Sequence, residues 1–133
     1  MLGQLARPGT IVVADFEAGL GTVMRLDGRP VDVVVVVVEP TAKSLEVGRR
    51  AADLVRESGL GRLVISANRV RDEDDAARVA AAFPGLDLLL VPDDPAILAA
   101  ERSGVAPLDA APEAPGVRAL VSLAKGLLGP AGA

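Results

Sequence analysis

Four short runs rich in β-branched or apolar residues punctuate the chain, at Thr10–Ala14, Val31–Val38, Arg62–Ala67 and Leu86–Val91. None alternates cleanly between apolar and polar positions. Continuous apolar runs of this length suit strands covered on both faces, as in a parallel sheet flanked by helices. Six consecutive valines, Val33–Val38, would crowd a helix, and Pro40 follows almost at once. Between the runs the period changes to that of a helix. After Pro40, Thr41 is placed to cap a helix with Leu45, Gly48, Ala52 and Val55 on its inward face, ending near Ser58-Gly59. Arg49, Arg50, Arg56 and Glu57 fall on its outer face, where they read as solubilising charge.

A second helix is expected from Asp72 as N-cap, with Asp74 and Asp75 in a solvated first turn and Ala76, Val79, Ala80 and Phe83 as the inward stripe. Pro84-Gly85 ends it. A short helix follows Pro95 and reaches Arg102, then a Pro-rich loop runs from Gly104 to Gly116. The last helix places Val117, Leu120, Val121, Ala124 and Leu127 on one face. Strands alternating with helices in this way predict an α/β, three-layer fold. Its sheet is mainly parallel, with at least four strands, right-handed crossovers and helices on both faces. A single domain over residues 1–128 is expected, with residues 129–133 as a frayed tail.

Composition narrows the chemistry. The chain has 133 residues, half of them apolar, and neither cysteine nor histidine. Disulfides, thiolate nucleophiles, histidine-based triads and ordinary zinc sites are therefore excluded within it. Fourteen basic against eighteen acidic residues give a net charge of −4, which supplies no field for a nucleic-acid backbone. Aromatic residues are 2% of the chain, too few for base-stacking platforms. Met1–Arg7 has no apolar core of the signal-peptide kind, and six valines fall far short of the roughly 20 residues of a membrane helix. The expectation is a cytoplasmic protein with no membrane partner. Carboxylates, backbone amides, Lys, Arg and Ser remain to carry any activity.

Ligands of open parallel sheets sit beyond the carboxyl ends of the strands. Here those ends are Asp15–Gly19, Glu39-Pro40-Thr41, Asn68-Arg69 with Asp72, and Pro92-Asp93-Asp94-Pro95, which would lie along one rim. Each also has a plainer reading. Asp15 and Glu17 serve equally as polar punctuation, Asn68 as a turn stabiliser, Asp72–Asp75 as a helix start, and Lys43 as a solvated lysine rather than a phosphate contact.

Four segments, V-V-A-D-F-E-A-G-L, V-D-V-V-V-V-V-V-E-P-T-x-x-S-L-E, S-A-N-R-V and V-P-D-D-P, occur in that order from about Thr10 to about Leu108. In order and spacing they resemble the second half of the MinD/ParA-type (SIMIBI) P-loop ATPases. Within that group they are most similar to the accessory ATPases of carbon monoxide dehydrogenase maturation. The resemblance implies ATP or ADP with magnesium as ligand. It implies Asp15 in the metal shell, Gly19 near the terminal phosphate, Asn68 at the adenine edge, and Pro92 and Asp93 against the base. The chain departs from the group in two ways. Its two lysines, Lys43 and Lys125, follow no Gly-rich loop, so no G-x-x-x-x-G-K-[ST] motif occurs in these residues, and the group's Cys-x-Cys metal pair is missing.

The expected function is a P-loop-less binding, scaffold or regulatory module with at most weak nucleotide binding and no ATP hydrolysis of its own. The alternative is the C-terminal half of a split ATPase whose partner chain supplies the P-loop. A receiver-like ligand domain is a third reading, weakened by the absence of an acidic pair upstream of Asp15. The P-loop strand of the resembled fold lies between the strands ending at Asp15 and Glu39, so either Thr10–Ala14 pairs directly with Val33–Val38 or each presents an unpaired edge. A homodimer, or a complex with a P-loop-bearing partner, is therefore expected at these strands.

Overall fold

The computed structural model describes residues 7–16 and 31–129. Three strands form a parallel sheet in the order β1-β2-β3: β1 (Val33–Val38), β2 (Arg62–Val70) and β3 (Asp87–Pro92). Parallel neighbours need a crossover, and α1 (Ala42–Ser58) and α2 (Glu73–Ala82) supply the two. The chain continues through α3 (Pro95–Ser103), the short α4 (Pro107–Ala110) and α5 (Pro115–Leu128). Among the described residues no helix is long and apolar enough to cross a membrane.

Alternation along the strands sends successive side chains to opposite faces. One face carries Val36, Val38, Leu63, Ile65, Ala67 and Leu88, which pack with Leu45 and Ala52 of α1 and with Val79 and Phe83 at the end of α2. Ile65 and Val79 are fully buried. Burying each such side chain contributes about 1.5–3 kcal/mol. Val64 and Leu89 point to the other face, where α5 lies along β3 and forms a shallow groove with them through Ser122, Leu123 and Leu127. Helices thus cover both faces, as the apolar strands predict.

The β1–α1 unit follows the sequence pattern closely. Thr41 is the N-cap of α1 and its hydroxyl accepts from the Ser44 amide at 3.3 Å, while Gly59 at φ +60° ends the helix. Leu45, Gly48, Ala52 and Val55 are its buried positions. Gly48 lets α1 approach β1: an added Cβ would overlap Val38 Cγ1 and sit 3.1 Å from Phe83 Cζ.

Four expectations need correction. Thr10–Ala14 is not a strand of the sheet: it pairs with no strand, and Ile11 and Val13 are 67% and 87% exposed. A strand needs a neighbour to complete its ladder, and no described residue supplies one beside it, so the described sheet has three strands rather than at least four. The loop expected over Gly104–Gly116 contains α4, and Pro115 starts α5 from the N1 position that suits its missing N–H. The buried face of α5 matches the predicted stripe only in part. Val117 is buried and Val121 and Leu127 half-buried as predicted, whereas Leu120 is 42% exposed, Ala124 is exposed, and Gly116 and Leu123 join the inward face. Asp75, expected in solvent, is 4% exposed.

Candidate functional site

The carboxyl ends of the three strands meet in an open cleft of about 280 Å3 lined by Glu39, Pro40, Thr41, Arg69, Arg71 and Asp93. Each lining residue is placed by local structure. Glu39 and Pro40 carry the chain from β1 into α1, and the Glu39 amide donates to Ser44 Oγ at 2.9 Å, which fixes that turn. Thr41 then presents the start of α1, the positive end of its dipole, to the cleft.

The register between β2 and β3 shifts between Ala67 and Val70, leaving Asn68 and Arg69 outside the ladder. Arg69 has φ +58°, and no other described non-glycine residue has positive φ. Its guanidinium stands between the ends of the flanking strands, 3.7 Å from Glu39 Oε1 and 3.9 Å from Asp93 Oδ1. The Asp93 amide donates to the Val70 carbonyl at 2.9 Å, which anchors the far wall.

Arg71 forms the floor of the cleft together with Asp75 behind it. Asp75 Oδ2 accepts from both the Arg71 backbone amide, at 3.1 Å, and Arg71 Nε, at 3.0 Å. Asp72, the N-cap of α2, accepts from the Asp75 amide at 2.8 Å. Asp72 thus satisfies a donor inside the helix start, while Asp75 reaches back past the N-cap to the amide of Arg71. The hydrogen bonds from Arg71 hold the Asp75 carboxyl below the usual carboxylate value, and the same contact raises Arg71 above its ordinary value. A third aspartate binds the elements beyond β3: Asp94 Oδ1 accepts from the Ala96 amide at 3.0 Å and Oδ2 from the Gly116 amide at 2.8 Å, joining the starts of α3 and α5.

The structure brings Asp93 into the cleft. Pro92 is the last residue of β3 and Asn68 lies half-buried beside Arg69, both next to the cleft but not among its lining residues. Asp15 is exposed in the segment that joins no strand and does not line the cleft. Gly19 and Glu17 lie outside the described residues. Among the described residues, no three acidic side chains gather in a cluster of metal-binding size. Sequence reasoning missed Arg71 and Asp75. The signal available for them was Asp75 at the N3 position three residues after the Asp72 cap, with an arginine four residues before it to pair with it.

No protein-family model matches the chain. Among curated proteins, it is 38% identical over 64 residues to an uncharacterized ATP-binding protein of Methanocaldococcus jannaschii, a match to 48% of this chain and 25% of that protein. It is 31% identical over 102 residues to the carbon monoxide dehydrogenase accessory protein CooC of Rhodospirillum rubrum, covering 76% of this chain and 39% of that protein. The chain thus matches well under half the length of either relative.

Proposed function

We propose that this chain is a MinD/ParA-like, ATPase-related module that binds nucleotide weakly at the strand-end cleft and acts as a binding, scaffold or regulatory unit rather than as a catalyst. The observation that carries this reading is the convergence of all three strand ends on one cleft, in a chain similar to an ATP-binding protein. Asn68, Pro92 and Asp93 border the cleft or line it, where a base would lie. The groups that position and neutralise a transferring phosphoryl group, a Gly-rich loop with its lysine and hydroxyl, do not occur in these 133 residues. Titration calorimetry with ADP and with ATP tests the reading. Binding in the high micromolar to millimolar range supports it, whereas no heat and no thermal shift at millimolar nucleotide refutes it.

A second reading, that the module works beside a chain that supplies a P-loop, is favoured by the β1 edge of the sheet, which no described strand covers. β1 pairs with β2 alone among the described strands, and Val37, on the face of the sheet away from α1, is 65% exposed. An all-valine edge left open is an association hazard. This reading extends to a homodimer through the same edge. Light scattering at high micromolar concentration should give a mass above the monomer, reduced to the monomer by Val37→Lys. A monomer under all conditions contradicts self-association at this edge.

A further inference from the structure

The cleft is organised around Arg69, whose backbone is held in the left-handed region that favours glycine. Its guanidinium is bracketed by Glu39 and Asp93 at 3.7 and 3.9 Å. Both separations exceed hydrogen-bond length, so the donors of the fork are spent on neither carboxylate. A strained backbone thus points a side chain with unspent donors between two acceptors.

Charge then restricts what can enter. Two carboxylates and two arginines line the cleft, but Arg71 is already bound to Asp75. Counting Asp75 with its partner, the walls carry three negative and two positive charges, a net −1. The start of α1 offsets about half a charge of this. A di- or triphosphate arriving at Arg69 would approach between Glu39 and Asp93 and meet no net positive field. An uncharged ligand meets a favourable sequence instead: acceptor at Glu39, donor at Arg69, acceptor at Asp93. That pattern complements an edge carrying an acceptor beside a donor, as the ring nitrogen and amino group of adenine do, with the ring nitrogen taken by Arg69 and the amino group by a flanking carboxylate.

We infer that the cleft recognises the uncharged nucleoside part of its ligand, independently of phosphates, and that Arg69 is the residue that grips it. This rests on the nucleotide-binding reading above and narrows it. The test is calorimetry of the 133-residue chain with adenosine, ADP and inorganic pyrophosphate at low and high salt, repeated with Arg69→Gly and Arg69→Ala. Adenosine and ADP should bind within about threefold of each other, with little change between about 0.05 and 0.5 M salt, and pyrophosphate should give no heat. Arg69→Gly should weaken adenosine by at least about tenfold through the lost charged hydrogen bonds. The same substitution should raise the melting temperature, because glycine relieves the positive φ. Arg69→Gly folds with less strain than the parent, so the test does not depend on the stability of Arg69→Ala. ADP binding more than about tenfold tighter than adenosine and weakened by salt would overturn the inference while leaving nucleotide binding intact. Wild-type adenosine affinity in Arg69→Gly would overturn the role of Arg69. Absence of binding by both adenosine and ADP would remove the nucleotide reading itself.

Discussion

Replacing Gly48 with alanine tests how the site is held in place. In a helix interior, Gly→Ala ordinarily stabilises by about 1 kcal/mol. At Gly48 the new Cβ overlaps Val38 Cγ1 and lies 3.1 Å from Phe83 Cζ. Val38 is 2% exposed, stiff at χ1, and fixed in register opposite Ala67, and Phe83 is 3% exposed, so neither neighbour can yield easily. Overpacking of this kind costs about 1–3 kcal/mol, and the upper part of that range applies when the neighbours are rigid. Subtracting the helical gain leaves a net destabilisation of about 1–2 kcal/mol. With a urea m-value in the usual range, the unfolding midpoint should fall by about 0.5–1 M. Gly126 of α5 is the control, since nothing lies within 4 Å of the place an added Cβ would take, and Gly126→Ala should raise the midpoint instead. Adding Val38→Ala to Gly48→Ala should recover part of the loss, a coupling of about 1 kcal/mol between touching sites. Val38 immediately precedes Glu39, so Gly48→Ala should also weaken ligand binding at the cleft. A Gly48→Ala protein as stable as Gly126→Ala would refute the close approach of α1 to β1.

Thr41→Ala should destabilise the protein by about 1 kcal/mol through loss of the α1 cap, read as a lower urea midpoint. Asp75 has a lowered folded value, so its contribution is present above the unfolded carboxylate value near about 3.9 and is lost as pH falls through the lowered one. Acid unfolding followed by circular dichroism should therefore lose its lowest-pH part in Asp75→Asn. Arg62→Ala should change stability by no more than about 0.5 kcal/mol, because its 3.2 Å pair with Asp87 is exposed on both sides. The purified chain should show no steady ATP turnover in a phosphate-release assay, and turnover abolished by Asp15→Ala would contradict this.

The β1–α1 unit was legible because every local signal agreed. The valine run, Pro40, the Thr41 cap, the Leu45-to-Val55 stripe and Gly59 all point to one structure. Thr10–Ala14 carries the same β-branched signal, yet a strand exists only beside a partner, and pairing is not written in a run's own composition. The stripe of α5 was legible only at Val117, Val121 and Leu127, because Leu, Val and Ala occupy several faces of that helix, and tertiary contact with Val64 and Leu89 selects among them. At the site, the rim followed from strand ends alone, and Asp93 and Glu39 came with it. Asp75 looked like one more carboxylate in an acidic run. Its burial depends on the amide and guanidinium of Arg71, a pairing that needs the turn between β2 and α2 to be seen. The positive φ of Arg69 has no residue-level signal, since arginine is not a residue that favours that conformation.

The most direct test of the account is a two-dimensional amide NMR titration of the chain with ADP. Binding at the strand-end cleft predicts saturable shifts confined to Glu39–Thr41, Asn68–Arg71 and Pro92-adjacent Asp93, with the α5 groove at Ser122–Leu127 unchanged. Shifts absent from these three strand ends, or centred on the α5 groove, would contradict it.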